Sequence, residues 1–145
     1  MAELDMRHLT ELSLPVFDGF VRVEPRAWDR QAVLLELLGE LGSLGHIAQR
    51  LEGFRRGEAL PAKLADECCD IVFITIRLAR DDGVALPERI AVPDVRPARP
   101  SALILSMCRD LAALSESPGA KEHLINIIGG AAAVATSVGV DFAIA

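Results

Sequence analysis

Val33-Leu34-Leu35-Glu36-Leu37-Leu38-Gly39-Glu40-Leu41-Gly42-Ser43-Leu44 is the stretch that decides the fold. At about 100° per residue, Val33, Leu34, Leu37, Leu41 and Leu44 fall on one broad arc, which Ala48 and Leu51 extend. The spacing predicts a core-facing helix over 30–53. Glu40 falls inside that arc, between Leu51 and Ile47, and Glu36 sits at its edge one turn earlier. Like charges four residues apart repel by a few tenths of a kcal/mol on a solvated face. Against an apolar face the penalty grows unless a cation intervenes.

The next helix is expected over 61–82. Pro61 suits a first helical turn and Gly83 is a natural stop. It is apolar almost all round, as a helix central to a bundle would be. Glu67 shares its side with Ile71, Ile74 and Leu78, and Asp70 lies beside it at i+3. Two helices, each carrying two acids at one-turn spacing, can converge on one ion. Hard carboxylate oxygens suit Mg²⁺. The alternative is that the acids occupy face edges and reach water, or pair with Arg50, Arg77 or Arg80.

Outward from this pair, a leading helix is expected over 7–21, with Pro15 ending it, kinking it or lying near its start. Glu24-Pro25-Arg26 breaks the chain, and Asp29 is a candidate cap. The segment 86–100 carries Pro87, Pro93, Pro97 and Pro100 and reads as an extended linker. Ser101 is expected to cap a fourth helix ending near 116. Ser117-Pro118-Gly119 is a turn, and the last helix is expected over 120–138, stopped by Gly139. The fold class is therefore all-α, a bundle of about five helices in one domain over 1–145.

The two halves resemble each other. Ile71 matches Ile127, Ala79 matches Ala135, and Gly83-Val84 matches Gly139-Val140, all at one offset. The 34–44 helix matches 104–114, with Glu40 falling on Asp110. A repeat of 30–86 in 101–142 predicts two tandem helical hairpins forming a four-helix core.

Composition bounds the partners. The chain has 145 residues, half of them apolar, and a net charge of −6, so a nucleic-acid backbone is not an expected partner. Its three cysteines form no disulfide framework and suit a reducing, cytoplasmic setting. The segment 1–7 is charged and has no signal-like apolar run. The apolar run 124–138 is too short to span a bilayer, so a buried core helix is expected and no membrane partner.

On these residues the chain resembles the MazG-like, all-α nucleoside triphosphate pyrophosphatases. Members carry Glu-Glu-x-x-Glu on one helix and Glu-x-x-Asp on the next. Glu36-Leu37-Leu38-Gly39-Glu40 looks like the first motif, and Glu67-Cys68-Cys69-Asp70 matches the second in full. The 20–28 segment looks like the family's aromatic lead-in, and the likeness covers about residues 17–86. It implies a Mg²⁺-dependent hydrolase that takes a nucleoside triphosphate to the monophosphate and pyrophosphate. Glu36, Glu40, Glu67 and Asp70 would hold the metal, with Glu36 also the candidate general base, and a homodimer would be expected. The alternative it implies is a catalytically inactive relative that binds nucleotide or dimerises.

Two departures stand out. Leu37 replaces the family's second Glu, and the proline-rich segment stands where the family continues into a phosphate-contacting helix. In the second half, Asp110, His123 and Asn126 occupy the places of Glu40, Glu67 and Asp70, a set poor in charge.

Other residues read more plainly. His46 is expected to be exposed, and Trp28 to pack beneath the N-terminal segment. Arg55 and Arg56 lie in a loop that either meets phosphate or is simply solvated. Cys68 and Cys69 read as small core residues, and Gly129-Gly130 as a point of close helix packing.

Overall fold

The structure is a computed structural model that describes residues 2–58, 60–94 and 98–142. Pro97 of the proline-rich segment, Met1 and the end of the chain from 143 lie outside the described residues. Among the described residues, five helices and one two-stranded ribbon follow in the order β1 (Glu3–Asp5), α1 (Met6–Val23), α2 (Arg30–Leu51), α3 (Pro61–Asp81), β2 (Arg89–Ala91), α4 (Pro100–Glu116) and α5 (Lys121–Ser137). The all-α bundle expected from periodicity is the fold observed.

Local chemistry sets the helix ends. The Asp29 carboxylate accepts from the Ala32 N–H at 2.9 Å and starts α2. Pro61 opens α3, where a missing N–H costs nothing. Gly83 and Gly139 follow α3 and α5 with φ of +69° and +84°, a region that favours glycine. Ser101 does not cap α4. That helix begins one residue earlier at Pro100, and the Ser101 hydroxyl instead donates to Glu52 at 2.8 Å. Arg99 donates to the same oxygen at 2.8 Å, so the start of α4 is tied to the end of α2. Burial alone would raise the Glu52 carboxyl, but these two donors hold it below its ordinary range.

Pro15 neither ends α1 nor begins it; the helix runs through it to Val23. Pro15 is exposed, and α1 packs mainly on α3 through Met6, Ser13 and Phe17.

Helices α2 and α3 form one hairpin and α4 and α5 the other. Helix α3 packs on α5, and α2 packs on α4. The four helices thus form a square, and exchanging the two hairpins leaves the pattern of neighbours unchanged. Leu37, Leu41, Leu44, Leu64, Ile71, Leu114, Leu124 and Ile127 are fully buried at its centre. Arg30 fastens one end. Its Nε donates to Asp82 at 2.9 Å and its terminal nitrogen to the Leu114 carbonyl at 2.6 Å. Gly119 N–H donates to the same Asp82 carboxylate at 3.2 Å. One ion pair therefore joins α2, α3, α4 and the 117–119 turn.

The proline-rich segment is not wholly a linker. Its 89–91 part pairs antiparallel with 3–5, Leu4 opposite Ile90, and both side chains are buried. Gly129 lets this ribbon lie on α5: a Cβ there would stand 3.2 Å from the Ala91 carbonyl. A Cβ on Gly130 would come within 2.9 Å of Met107, so this glycine pair does mark close packing, against the ribbon and α4. Among the described residues, no helix is long and apolar enough to cross a membrane.

Candidate metal centre

Glu40 projects from the middle of α2, and Glu67 and Asp70 from the first half of α3. The hairpin brings one oxygen from each within 4.8 Å of the others. Glu40 and Glu67 are half-buried and Asp70 is exposed, so the trio opens from the apolar hairpin seam to solvent. Oε2 of Glu67 is buried and has no hydrogen-bond partner. A buried carboxylate oxygen left unpaired is costly.

The arginines that offered an alternative are occupied or placed elsewhere. Arg77 pairs with Glu24 at 2.7 Å and lies over the Trp28 ring at 5.0 Å. Arg80 lies over Phe17 at 6.0 Å. The Arg50 Nε is buried with no hydrogen-bond partner. No cationic side chain among the described residues forms a salt bridge with Glu36, Glu40, Glu67 or Asp70.

The electrostatic result is strain between like charges. Burial, the close approach of the Glu67 carboxyl, and the charges of Glu67, Asp70 and Glu36 push the Glu40 carboxyl up to about 8. Burial first, and then Glu67, Asp66 and Glu36, raise Asp70 as well. Asp66 is a fifth acid of this patch that the motif reading passed over. Its i,i+4 spacing to Asp70 is the signal that reveals it.

Glu36 stands one turn before Glu40, outside the trio, yet near enough for its charge to bear on both Glu40 and Asp70. Leu37 is 0% exposed, so the position where the family carries its second Glu faces the core here. Behind the trio, Cys68 is sealed in the core and burial pushes its thiol up to about 12, which leaves it an inert packing residue. Cys69 is half-buried and packs against the core. His46 is exposed, and Arg55 is exposed and turned back to Gln49 at 3.2 Å. Trp28 is half-buried beneath Arg77.

A donor set of carboxylate oxygens alone fits a hard divalent cation. Opposite ligands of Mg²⁺ stand about 4.2 Å apart when each bond is about 2.1 Å, so the trio needs small side-chain adjustments to share one ion. No family model matches the chain, and neither a curated protein nor a solved structure does.

Proposed function

We propose that this chain is a Mg²⁺-dependent nucleotide pyrophosphohydrolase of the MazG-like kind, acting on a nucleoside triphosphate. The observation that carries this reading is the convergence of Glu40, Glu67 and Asp70 with no cationic side chain among the described residues paired to them. Mg²⁺ bound there supplies positive charge against the triphosphate oxygens. Glu40, Glu67 and Asp70 hold the ion, with Glu36 beside them. Glu36 accepts a proton from the attacking water as general base. Oxygen from that water bonds to the α-phosphorus, and the bond from that phosphorus to the bridging oxygen breaks. The products are the monophosphate and pyrophosphate.

A second reading rests on Leu37. With that position in the core, and β2 following α3 where the family has a phosphate-contacting helix, the chain is an inactive relative that binds nucleotide without turnover. A homodimer accompanies either reading. Leu12, Val16, Phe20 and Val23 of α1 are exposed apolar residues that a second copy would cover. Free thiols at Cys68, Cys69 and Cys108 suit a cytoplasmic setting.

Pyrophosphate release from a panel of ribo- and deoxynucleoside triphosphates, with and without Mg²⁺, tests the first reading. Metal-dependent release that Glu67→Gln abolishes supports it. Nucleotide binding by folded protein without release moves the assignment to the second reading.

A further inference from the structure

We infer that the chain is built from two copies of one helical hairpin, and that Asp110, His123 and Asn126 are the second copy of the Glu40, Glu67 and Asp70 site, closed by hydrogen bonds in place of a cation. The sequence match places these residues in corresponding positions, and the structure brings the second trio together independently. His123 Nδ1 lies 2.7 Å from Asp110 Oδ1, and Asn126 Nδ2 donates to the same oxygen at 3.2 Å. In both hairpins, then, one acid from the first helix meets two polar side chains, three residues apart, from the second.

Burial repeats with the same offsets. Leu37, Leu41 and Leu44 of α2 are buried, as are Met107, Leu111 and Leu114 of α4. On α3 and α5, Cys68, Ile71, Val72 and Leu78 are 0% exposed, as are Leu124, Ile127, Ile128 and Val134. The backbone repeats as well. Gly83 N–H donates to the Arg80 carbonyl at 3.1 Å, and Gly139 N–H to the Thr136 carbonyl at 3.0 Å. Val84 N–H donates to the Ala79 carbonyl at 2.8 Å, and Val140 N–H to the Ala135 carbonyl at 3.1 Å. Apolar periodicity alone would match core positions. It would not place a polar trio of the same layout, one side chain from the first helix and two from the second, at corresponding positions of both hairpins.

The chemistry of the two trios is complementary. Three acids repel and leave a buried oxygen unpaired. In the second trio, an imidazole and an amide replace two of the acids, and both satisfy the one carboxylate that remains. Ser106 stands at the position of Glu36, which removes the fourth acid. A cavity of about 580 Å³ adjoins the second trio, walled in part by Ser106, Asp110 and Asn126. A hydrated ion has room there. What the second site lacks is charge, so the chain is asymmetric, with one open acidic site and one closed counterpart. The proposed Mg²⁺ reading enters here only in naming a divalent cation as the ligand.

The test exchanges the trios in the full chain and counts Mn²⁺ bound by calorimetric titration. His123→Glu combined with Asn126→Asp is expected to add one Mn²⁺ per chain to the one that the wild-type protein binds. A folded double variant with no added site overturns the inference. Glu67→His combined with Asp70→Asn gives the first hairpin the closed trio. It is expected to raise the melting temperature in EDTA, because three repelling acids become a hydrogen-bonded set. A lower melting temperature for this reciprocal variant overturns the inference even if the first variant does not fold. Wild-type protein that binds no Mn²⁺ overturns the proposed metal centre, and the melting temperature of the reciprocal variant then decides the duplication.

Discussion

Glu40 and Glu67, from adjacent helices, bring carboxylate oxygens within 4.8 Å of each other at the mouth of the α2–α3 seam, and no cationic side chain among the described residues salt-bridges either of them. The pair is held by the packing behind it, where Leu37, Leu41, Cys68 and Ile71 are fully buried. Hydrophobic burial therefore fixes a charge arrangement that is unfavourable on its own.

That arrangement makes stability depend on pH. The fold raises Glu40 from its ordinary 4.5 to about 8. Its contribution is fully present below the lower value and is lost as pH rises through the upper one. Asp70 is raised too and acts in the same direction. Glu52 is shifted the other way, and its contribution is lost on the acid side, below its ordinary range. Melting temperature in EDTA should fall steadily between about pH 5 and pH 9. Added Mg²⁺ should flatten or reverse that slope, because a bound cation favours the ionised carboxyls.

Leu37→Glu separates motif from structure. By resemblance, the change completes the family's first motif. In this fold it removes a fully buried leucine and places a charge in the core. The expected loss is about 4 kcal/mol, with no gain in metal affinity. Denaturant unfolding and Mn²⁺ titration of the variant check both halves of that statement.

Arg77 carries a structural load away from the candidate centre. Its side chain is 8% exposed, ion-paired to Glu24 and stacked on Trp28. Arg77→Ala leaves the Glu24 carboxylate buried without its partner and should cost about 3–5 kcal/mol. Urea unfolding should show it, together with a change in Trp28 fluorescence.

Gly42 lies within α2, and nothing stands within 4 Å of where its Cβ would be. Gly42→Ala should raise stability by about 0.5–1 kcal/mol through helix propensity alone. Gly130→Ala should lower it, since the new methyl meets Met107. Thermal melts of the two variants give opposite signs if α2 has a free outer face and α5 does not.

Much of this was legible in the sequence. Helix-period apolar residues from Val33 to Leu51 and the punctuation at Asp29, Pro61 and Gly83 placed α2 and α3. The i,i+3 spacing of Glu67 and Asp70 placed two acids together. The β1–β2 ribbon was not legible, because three residues carry too little periodicity and the two strands lie far apart in the chain. Ser101 misled because its hydroxyl serves Glu52, a partner that only tertiary packing supplies. The same holds for Arg77, whose surroundings are set by the 24–28 segment folding over it. Wheel geometry placed Glu36 and Glu40 a turn apart, but only the packed hairpin separates the acid that joins Glu67 from the one that stands beside the trio.

The most direct measurement follows oxygen. Hydrolysis of a nucleoside triphosphate in ¹⁸O-labelled water, with Mg²⁺ present, should put the label in the nucleoside monophosphate and leave the pyrophosphate unlabelled, and Glu67→Gln should abolish the reaction. Label in inorganic phosphate alongside a nucleoside diphosphate, or no hydrolysis by folded protein across the full panel of bases, would contradict attack at the α-phosphorus by this centre.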